Sequence, residues 1–367
     1  MSYEFKTYSE RTFIMKNIDD SQVIAEFDKS DMLSIIRRFP QQWKEAEDIG
    51  RQFSLPADYG RVDKIVITGM GGSAMGGDIL RSYLSKELRI PVFVNRNYTL
   101  PGFVDEKTLL LVVSYSGNTE ETLSAYQQGV DLSAKIIAVT SGGRLKELSE
   151  AKGIPVVIVP PGMPPRTALG YLFLPSLIIL ERLGLVEAKG KDIEETGLLL
   201  GELSRRWDPL SPPDRNRTKD LARELLGKLP LIYGSELLAA VCLRWKTQIN
   251  ENSKSLAYPV LFSELNHNEI VGWEGMEELR KNIEIIILRD KEEHERIKKR
   301  IEITKSVIGG RPGGLEEVRS EGQSLLARLF SLIYLGDWVS FYLAILYGVD
   351  PTPVKPIESL KRRLAEQ

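Results

Sequence analysis

Two turns in this 367-residue sequence carry the groups that would hold an anion. The first, GMGGSAMGGD, runs from Gly69 to Asp78, after the apolar run Lys64–Thr68 and ahead of a helical stretch. Its glycines, Gly72 among them, permit close backbone approach and positive φ, and amides at a helix start attract negative charge. Ser73 adds a hydroxyl. The second turn, SYSGNTEET, places Ser114, Ser116 and Thr119 beside another helix start. Neutral donors together with a helix dipole suit a phosphate monoester. Asn118 and Glu121 also have the spacing of a capping box, so the same residues would serve an ordinary capped helix. Neither turn is followed by the Lys-Ser/Thr pair of a triphosphate-binding loop.

Gly69, Gly71 and Ala74 satisfy G-x-G-x-x-A, a dinucleotide pattern that wants an acidic residue at the end of the next strand. That strand, PVFVN, ends in Asn95-Arg96-Asn97. Arg96 would suit a 2′-phosphate, so an NADP-dependent oxidoreductase stands as one alternative. His267 lies in the polar island ELNHNE and can exchange a proton near neutral pH; it would equally cap a turn. His294, in EEHERIKK, is expected on the surface of a charged helix. Two separated histidines and the single cysteine, Cys242, form no cluster of soft ligands, so neither a metal nor another cofactor is expected.

The elements that position these turns follow from the apolar pattern. Lys64–Thr68, Pro91–Asn95, Thr108–Ser114, Lys135–Thr140 and Pro155–Pro160 are short runs rich in Val and Ile, separated by loops or helical stretches. Such alternation predicts a parallel sheet covered on both faces, closed here by an apolar helix over Thr167–Leu183. Residues 186–220 are polar and Pro-rich and read as a linker. A second α/β series follows, with strands at Leu229–Gly234, near Val260–Phe262 and at Ile283–Leu288, and helices near 236–250 and 322–348. The expected fold class is α/β, with two tandem doubly wound domains, each a mostly parallel sheet flanked by helices. The boundaries are a helical segment 1–55 broken at Pro40, a first domain 56–185, the linker, and a second domain 221–367.

Composition excludes several classes. Forty-nine basic against 51 acidic residues, a formal charge of −2 with no charged tail, offer no footprint for nucleic acid. MSYEFKTYSERTF has mixed charge and no apolar core, so no signal peptide is expected, and a lone cysteine fits the cytoplasm. Leu329–Tyr347 approaches the length of a spanning helix, but Ser331, Gly336, Asp337 and Ser340 interrupt it. A buried core helix is the expectation, with no membrane partner.

GMGGSAMGGD followed by SYSGNTEET in a five-strand unit resembles the sugar isomerase (SIS) domain, which binds phosphosugars. Further motifs sharpen this: PPGMPPRTALGYLF (Pro160–Phe173), NENSKS (Asn250–Ser255), SELNHNEIVGW (Ser263–Trp273), GDWVSFYLA (Gly336–Ala344) and DPTPVKPIESLK (Asp350–Lys361). Together they resemble the bifunctional phosphoglucose/phosphomannose isomerases over nearly the whole chain from about residue 55. The resemblance implies metal-independent interconversion of glucose 6-phosphate and fructose 6-phosphate, and of mannose 6-phosphate, through a cis-enediol. It assigns proton transfer to Glu251, stabilisation of the developing oxyanion to Arg166, and ring opening to His267, contributed across a homodimer interface. Lys361 would assist ring opening, with Lys355 competing for that assignment. Thr352 is the nearest match to a small hydroxyl residue at the substrate. Gly72, Ser73, Ser114, Ser116 and Thr119 would hold the phosphate. A non-catalytic phosphosugar sensor is the other reading that SIS domains allow.

Overall fold

The computed structural model describes residues 16–212, 216–275 and 277–366; the leader reading of the first residues lies outside them. Three helices, α1 (Ser21–Phe27), α2 (Met32–Arg37) and α3 (Phe39–Gln52), precede the first sheet, with Pro40 in the first turn of α3. There the missing amide of proline costs nothing. The first unit then runs β1 (Lys64–Thr68), α4 (Gly72–Leu84), β2 (Val92–Asn95), β3 (Thr108–Val113), α5 (Glu120–Asp131), β4 (Lys135–Thr140), α6 (Gly143–Ala151), β5 (Val156–Ile158) and α7 (Leu169–Arg182). After α8 (Gly190–Arg206) and α9 (Arg217–Leu225) come β6 (Leu229–Ser235), α10 (Ala239–Ser253) and β7 (Tyr258–Phe262). Two short helices, α11 (Glu269–Gly272) and α12 (Glu277–Arg280), lead to β8 (Ile283–Arg289), α13 (Glu295–Ile308), β9 (Gly314–Arg319), α14 (Leu325–Tyr347) and α15 (Lys355–Ala365).

Both sheets are parallel. The first has order β2-β1-β3-β4-β5 and the second β7-β6-β8-β9. β3 is buried along its whole length, which is why its sequence, TLLLVV, reads as one apolar run. In each sheet the chain leaves the middle in opposite directions, so a crevice opens at the carboxyl ends of two adjacent strands. In the first sheet those strands are β1 and β3, and the two anion-suited turns follow them directly.

Three expectations are corrected here. Residues 186–220 are not a linker: α8 occupies 190–206 and buries Ile193, Thr196, Leu200 and Leu203, one face of an amphipathic helix. β9 is an additional strand that the apolar pattern does not mark, because GLEEVR is polar and lies at a sheet edge with only Val318 buried. The second-unit helix placed near 236–250 instead spans 239–253 and so carries Glu251 on its last turn.

The apolar helix α14 meets the length and composition of a membrane span, yet that window is wholly buried within the protein. Its polar residues explain why. Asp337 accepts from Arg244 at 3.0 and 2.8 Å and from Gln248 at 2.7 Å, all in α10. Ser340 Oγ accepts from Asn252 at 2.9 Å, and its carbonyl accepts from Ser253 at 2.7 Å. Gly336 admits the Trp245 ring, which a Cβ would meet at 2.5 Å. The interruptions in the apolar run are thus the seam that fixes the end of α10.

Candidate active site

The two turns of the first sheet are joined to each other. Ser73 Oγ accepts from the amide of Tyr115 at 3.2 Å. Ser114 Oγ lies 3.1 Å from Thr119 Oγ1 and accepts from the Gly117 amide at 3.2 Å, while Ser116 Oγ accepts from the Asn118 amide at 3.3 Å. Ser114 and Ser73 are buried, Thr119 is half-buried and Ser116 is exposed. The capping box does not form. Thr119 is the N-cap of α5 and makes no side-chain cap bond, and Asn118 Oδ1 instead accepts from the Arg144 amide at 2.9 Å. Holding the neighbouring turn outcompetes capping its own helix.

Arg166 stands beside these turns because Gly72 lets it. A Cβ on Gly72 would lie 2.9 Å from Arg166 Cα and 2.9 Å from the Pro165 carbonyl oxygen, so the start of α4 and the 3₁₀ turn Pro165–Thr167 touch backbone to backbone. Gly72→Ala is accordingly expected to cost about 1–3 kcal/mol in a urea titration and to lower turnover by displacing Arg166.

The Arg166 side chain is 3% exposed and held by protein acceptors on three of its edges. Its Nε donates to Asn252 Oδ1 at 2.7 Å, Nη2 donates to the carbonyls of Pro351 and Thr352 at 2.8 and 2.9 Å, and Nη1 lies 3.5 Å from Glu251 Oε2. Arg244 holds the Arg166 carbonyl at 2.7 Å. Burial pushes the Arg166 guanidinium down from its ordinary value, and Glu251 opposes that shift. A guanidinium starts so high that it stays charged. The result is a carboxylate and a cation fixed side by side, the pairing that proton abstraction and oxyanion stabilisation require.

Glu251 itself lines a cavity of about 480 Å³ together with Lys246, Asn250, Lys254, Val354 and Ile357. Thr352 is adjacent: its amide donates to Asp350 at 2.9 Å, and its buried hydroxyl has no hydrogen-bond partner among the described residues. Thus Gly72, Arg166, Glu251 and Thr352 are brought together. Asn252, which bridges Arg166 and Ser340, and Lys254, which faces the same cavity, carried no sequence assignment.

Other expected residues lie apart. His267 ends a 3₁₀ turn, Glu264–His267, after β7; it is exposed, and among the described residues no hydrogen bond or ion pair joins it to Glu251 or Arg166. Lys355 and Lys361 are both exposed on α15. His294 is the N-cap of α13 rather than a residue of its charged face; its Nδ1 accepts from the Arg296 amide at 3.1 Å. Arg96 is ion-paired with the buried Asp78 of α4, which leaves the dinucleotide reading without its free cation. Among the described residues no group of three or more His, Cys, Asp or Glu side chains could hold a metal ion.

Two parallel sheets in tandem, with hydroxyl-bearing turns at the switch point of the first, define a sugar isomerase (SIS) fold. Residues 60–149 match the SIS domain family model, and residues 214–364 match the model of the bacterial phospho-glucose isomerase C-terminal SIS domain. A bifunctional phosphoglucose/phosphomannose isomerase of Caldicellulosiruptor bescii is 50% identical over 91% of this chain and 99% of its own length. One from Thermoplasma acidophilum is 40% identical over 83% of this chain and 91% of its own. The chain belongs to the bifunctional phosphoglucose/phosphomannose isomerase family. Among solved structures, a glucose-6-phosphate isomerase-like protein from Thermus thermophilus shares the fold at TM-score 0.63 and 21% identity, covering 93% of this chain and 99% of that one.

Proposed function

We propose that this chain interconverts glucose 6-phosphate, fructose 6-phosphate and mannose 6-phosphate with Glu251 as the proton carrier. Family membership at 50% identity over most of the chain makes it an aldose–ketose isomerase. The observation that carries the residue assignment is the Arg166–Glu251 pair beside the Gly72 turn.

The phosphate is held by Ser73 in the first turn of α4 and by Ser114, Ser116 and Thr119 ahead of α5, where the helix dipoles add to the hydroxyl donors. Ring opening transfers the anomeric hydroxyl proton away and delivers a proton to the ring oxygen as the C1–O5 bond breaks. His267 with Lys361 serves that step. Glu251 then takes the proton from C2, the C2–H electrons form the C1–C2 double bond, and the carbonyl electrons pass to O1. Arg166 faces that oxyanion. The O2 proton passes to O1, the electrons left on O2 form the C2 carbonyl, the C1–C2 double-bond electrons take the proton back from Glu251 at C1, and the ketose results. Rotation about C2–C3 before the proton returns to C2 gives the other epimer. In this reading the Thr352 hydroxyl, beside Arg166 and without a partner among the described residues, takes a substrate hydroxyl. These steps call for acid–base groups alone and invoke no metal or cofactor.

A homodimer completes the site in this reading. Leu256 is 61% exposed, and Ile357, Leu360 and Leu364 form an exposed apolar stripe on α15 at helical spacing. A second copy covering that rim of the Glu251 cavity would supply the partner's His267. Mixing Glu251→Gln chains with His267→Ala chains tests this. If the histidine acts across the interface, random pairing restores about a quarter of the active sites. If it acts within its own chain, both preparations and the mixture stay inactive. The single cysteine, Cys242, is buried, and the cytoplasm is the compartment we propose.

A further inference from the structure

Lys254 is the first residue past α10 and takes a left-handed conformation, φ 55°, that turns its side chain back along the helix end. Its ammonium donates to the Glu251 carbonyl and, at 3.0 Å, to the Pro351 carbonyl. Arg166 Nη2 reaches that same Pro351 oxygen at 2.8 Å. Two cations therefore converge on one carbonyl, each using one of its two lone pairs. One comes from the helix that carries Glu251 and the other from the turn against the phosphate loop. Lys254 also lines the cavity that Glu251 faces.

We propose that Lys254 is a positioning residue of the isomerase: it ties the last turn of α10 to the 350–352 turn and so sets the Glu251 carboxylate against Arg166. This role rests on the assignment of Glu251 as the proton carrier. The charged groups around the ammonium are Glu251 on its own helix, Arg166 from the 165–167 turn and Asp350 from the segment after α14, with Lys246 lining the same cavity. Burial first, and then Arg166, push the ammonium down to about 8, against the opposing pull of Asp350 and Glu251. Charge-assisted hydrogen bonds are roughly twice as strong as neutral ones, so the tether weakens when Lys254 loses its proton. Turnover should then fall on the alkaline side, as the carboxylate drifts from its place.

The test measures kcat and KM for fructose 6-phosphate from about pH 6 to about pH 10 in the wild type, Lys254→Met, Lys254→Arg and Glu251→Gln. The wild type should lose kcat with a midpoint near 8. Lys254→Met should have kcat lowered about 10- to 100-fold with a smaller change in KM, and no inflection there. Lys254→Arg, permanently charged, should recover most of the rate at neutral pH and keep it to higher pH. A purely structural tether would lower the melting temperature while leaving the inflection in place. That result, or wild-type kcat in Lys254→Met, overturns the role of Lys254 while an inactive Glu251→Gln leaves the proton carrier standing. Wild-type turnover in Glu251→Gln overturns both.

Discussion

Glu251→Gln is expected to lower kcat for fructose 6-phosphate by about 10²- to 10⁴-fold, the usual worth of a positioned general base. The substitution keeps the shape of the side chain and its place on the last turn of α10. It removes only the capacity to accept a proton from C2. The carboxylate is not needed to hold Arg166, whose strongest bonds run to Asn252 and to the carbonyls of Pro351 and Thr352; the contact with Glu251 is the longest, at 3.5 Å. Stability should therefore stay within about 1 kcal/mol of the wild type, since glutamine keeps an oxygen for Arg166 and Arg166 keeps its other acceptors. KM should move less than kcat, because Glu251 is not among the residues proposed to hold the phosphate. Steady-state kinetics paired with a urea titration separates these outcomes.

The second large effect is on the fold. Asp337 and Arg244 form a two-pronged ion pair inside the protein, between α14 and α10. Replacing Asp337 with Leu leaves a buried guanidinium without its partner and should cost about 3–5 kcal/mol. Replacing both, with Asp337→Leu and Arg244→Met, should recover part of that loss, with the Gln248 amide still lacking the acceptor it had in Asp337. Activity should not recover with stability in the double variant. Arg244 also holds the Arg166 carbonyl, so its removal frees the turn that presents the guanidinium to Glu251. A double variant as unstable as the single one would show that the pair does more than neutralise buried charge.

How far the fold could be read depended on burial. β1, β3 and β4 are covered on both faces, so their sequences are continuous runs of Val, Ile and Leu that stand out from their surroundings. β9 sits at an edge and is mostly half-buried; its two adjacent glutamates face charged partners, Glu316 pairing with Arg217 and Glu317 with Arg289 and Lys305. Nothing apolar marks it. The helix at 190–206 is masked by the prolines that follow it at 209, 212 and 213, which give the whole segment the composition of a linker.

The site divides along similar lines. The two turns proposed to hold the phosphate are built from glycine and hydroxyl residues in sequence order, so Gly69–Asp78 and Ser114–Thr122 are visible locally. Arg166, Glu251 and Thr352 come together only through contacts across more than eighty residues of sequence, and their motifs rather than any local rule single them out. Asn252 and Lys254 escape assignment for that reason. A polar residue at a helix end looks the same whether it meets water or, as Lys254 does, a carbonyl nearly a hundred positions away.

A crystal of the Glu251→Gln protein soaked with fructose 6-phosphate examines the shared premise of these arguments most directly. The phosphate should lie on Ser73, Ser114, Ser116 and Thr119, with C1 and C2 between residue 251 and Arg166. A sugar phosphate bound with both turns empty and its carbonyl end away from Arg166 would contradict it.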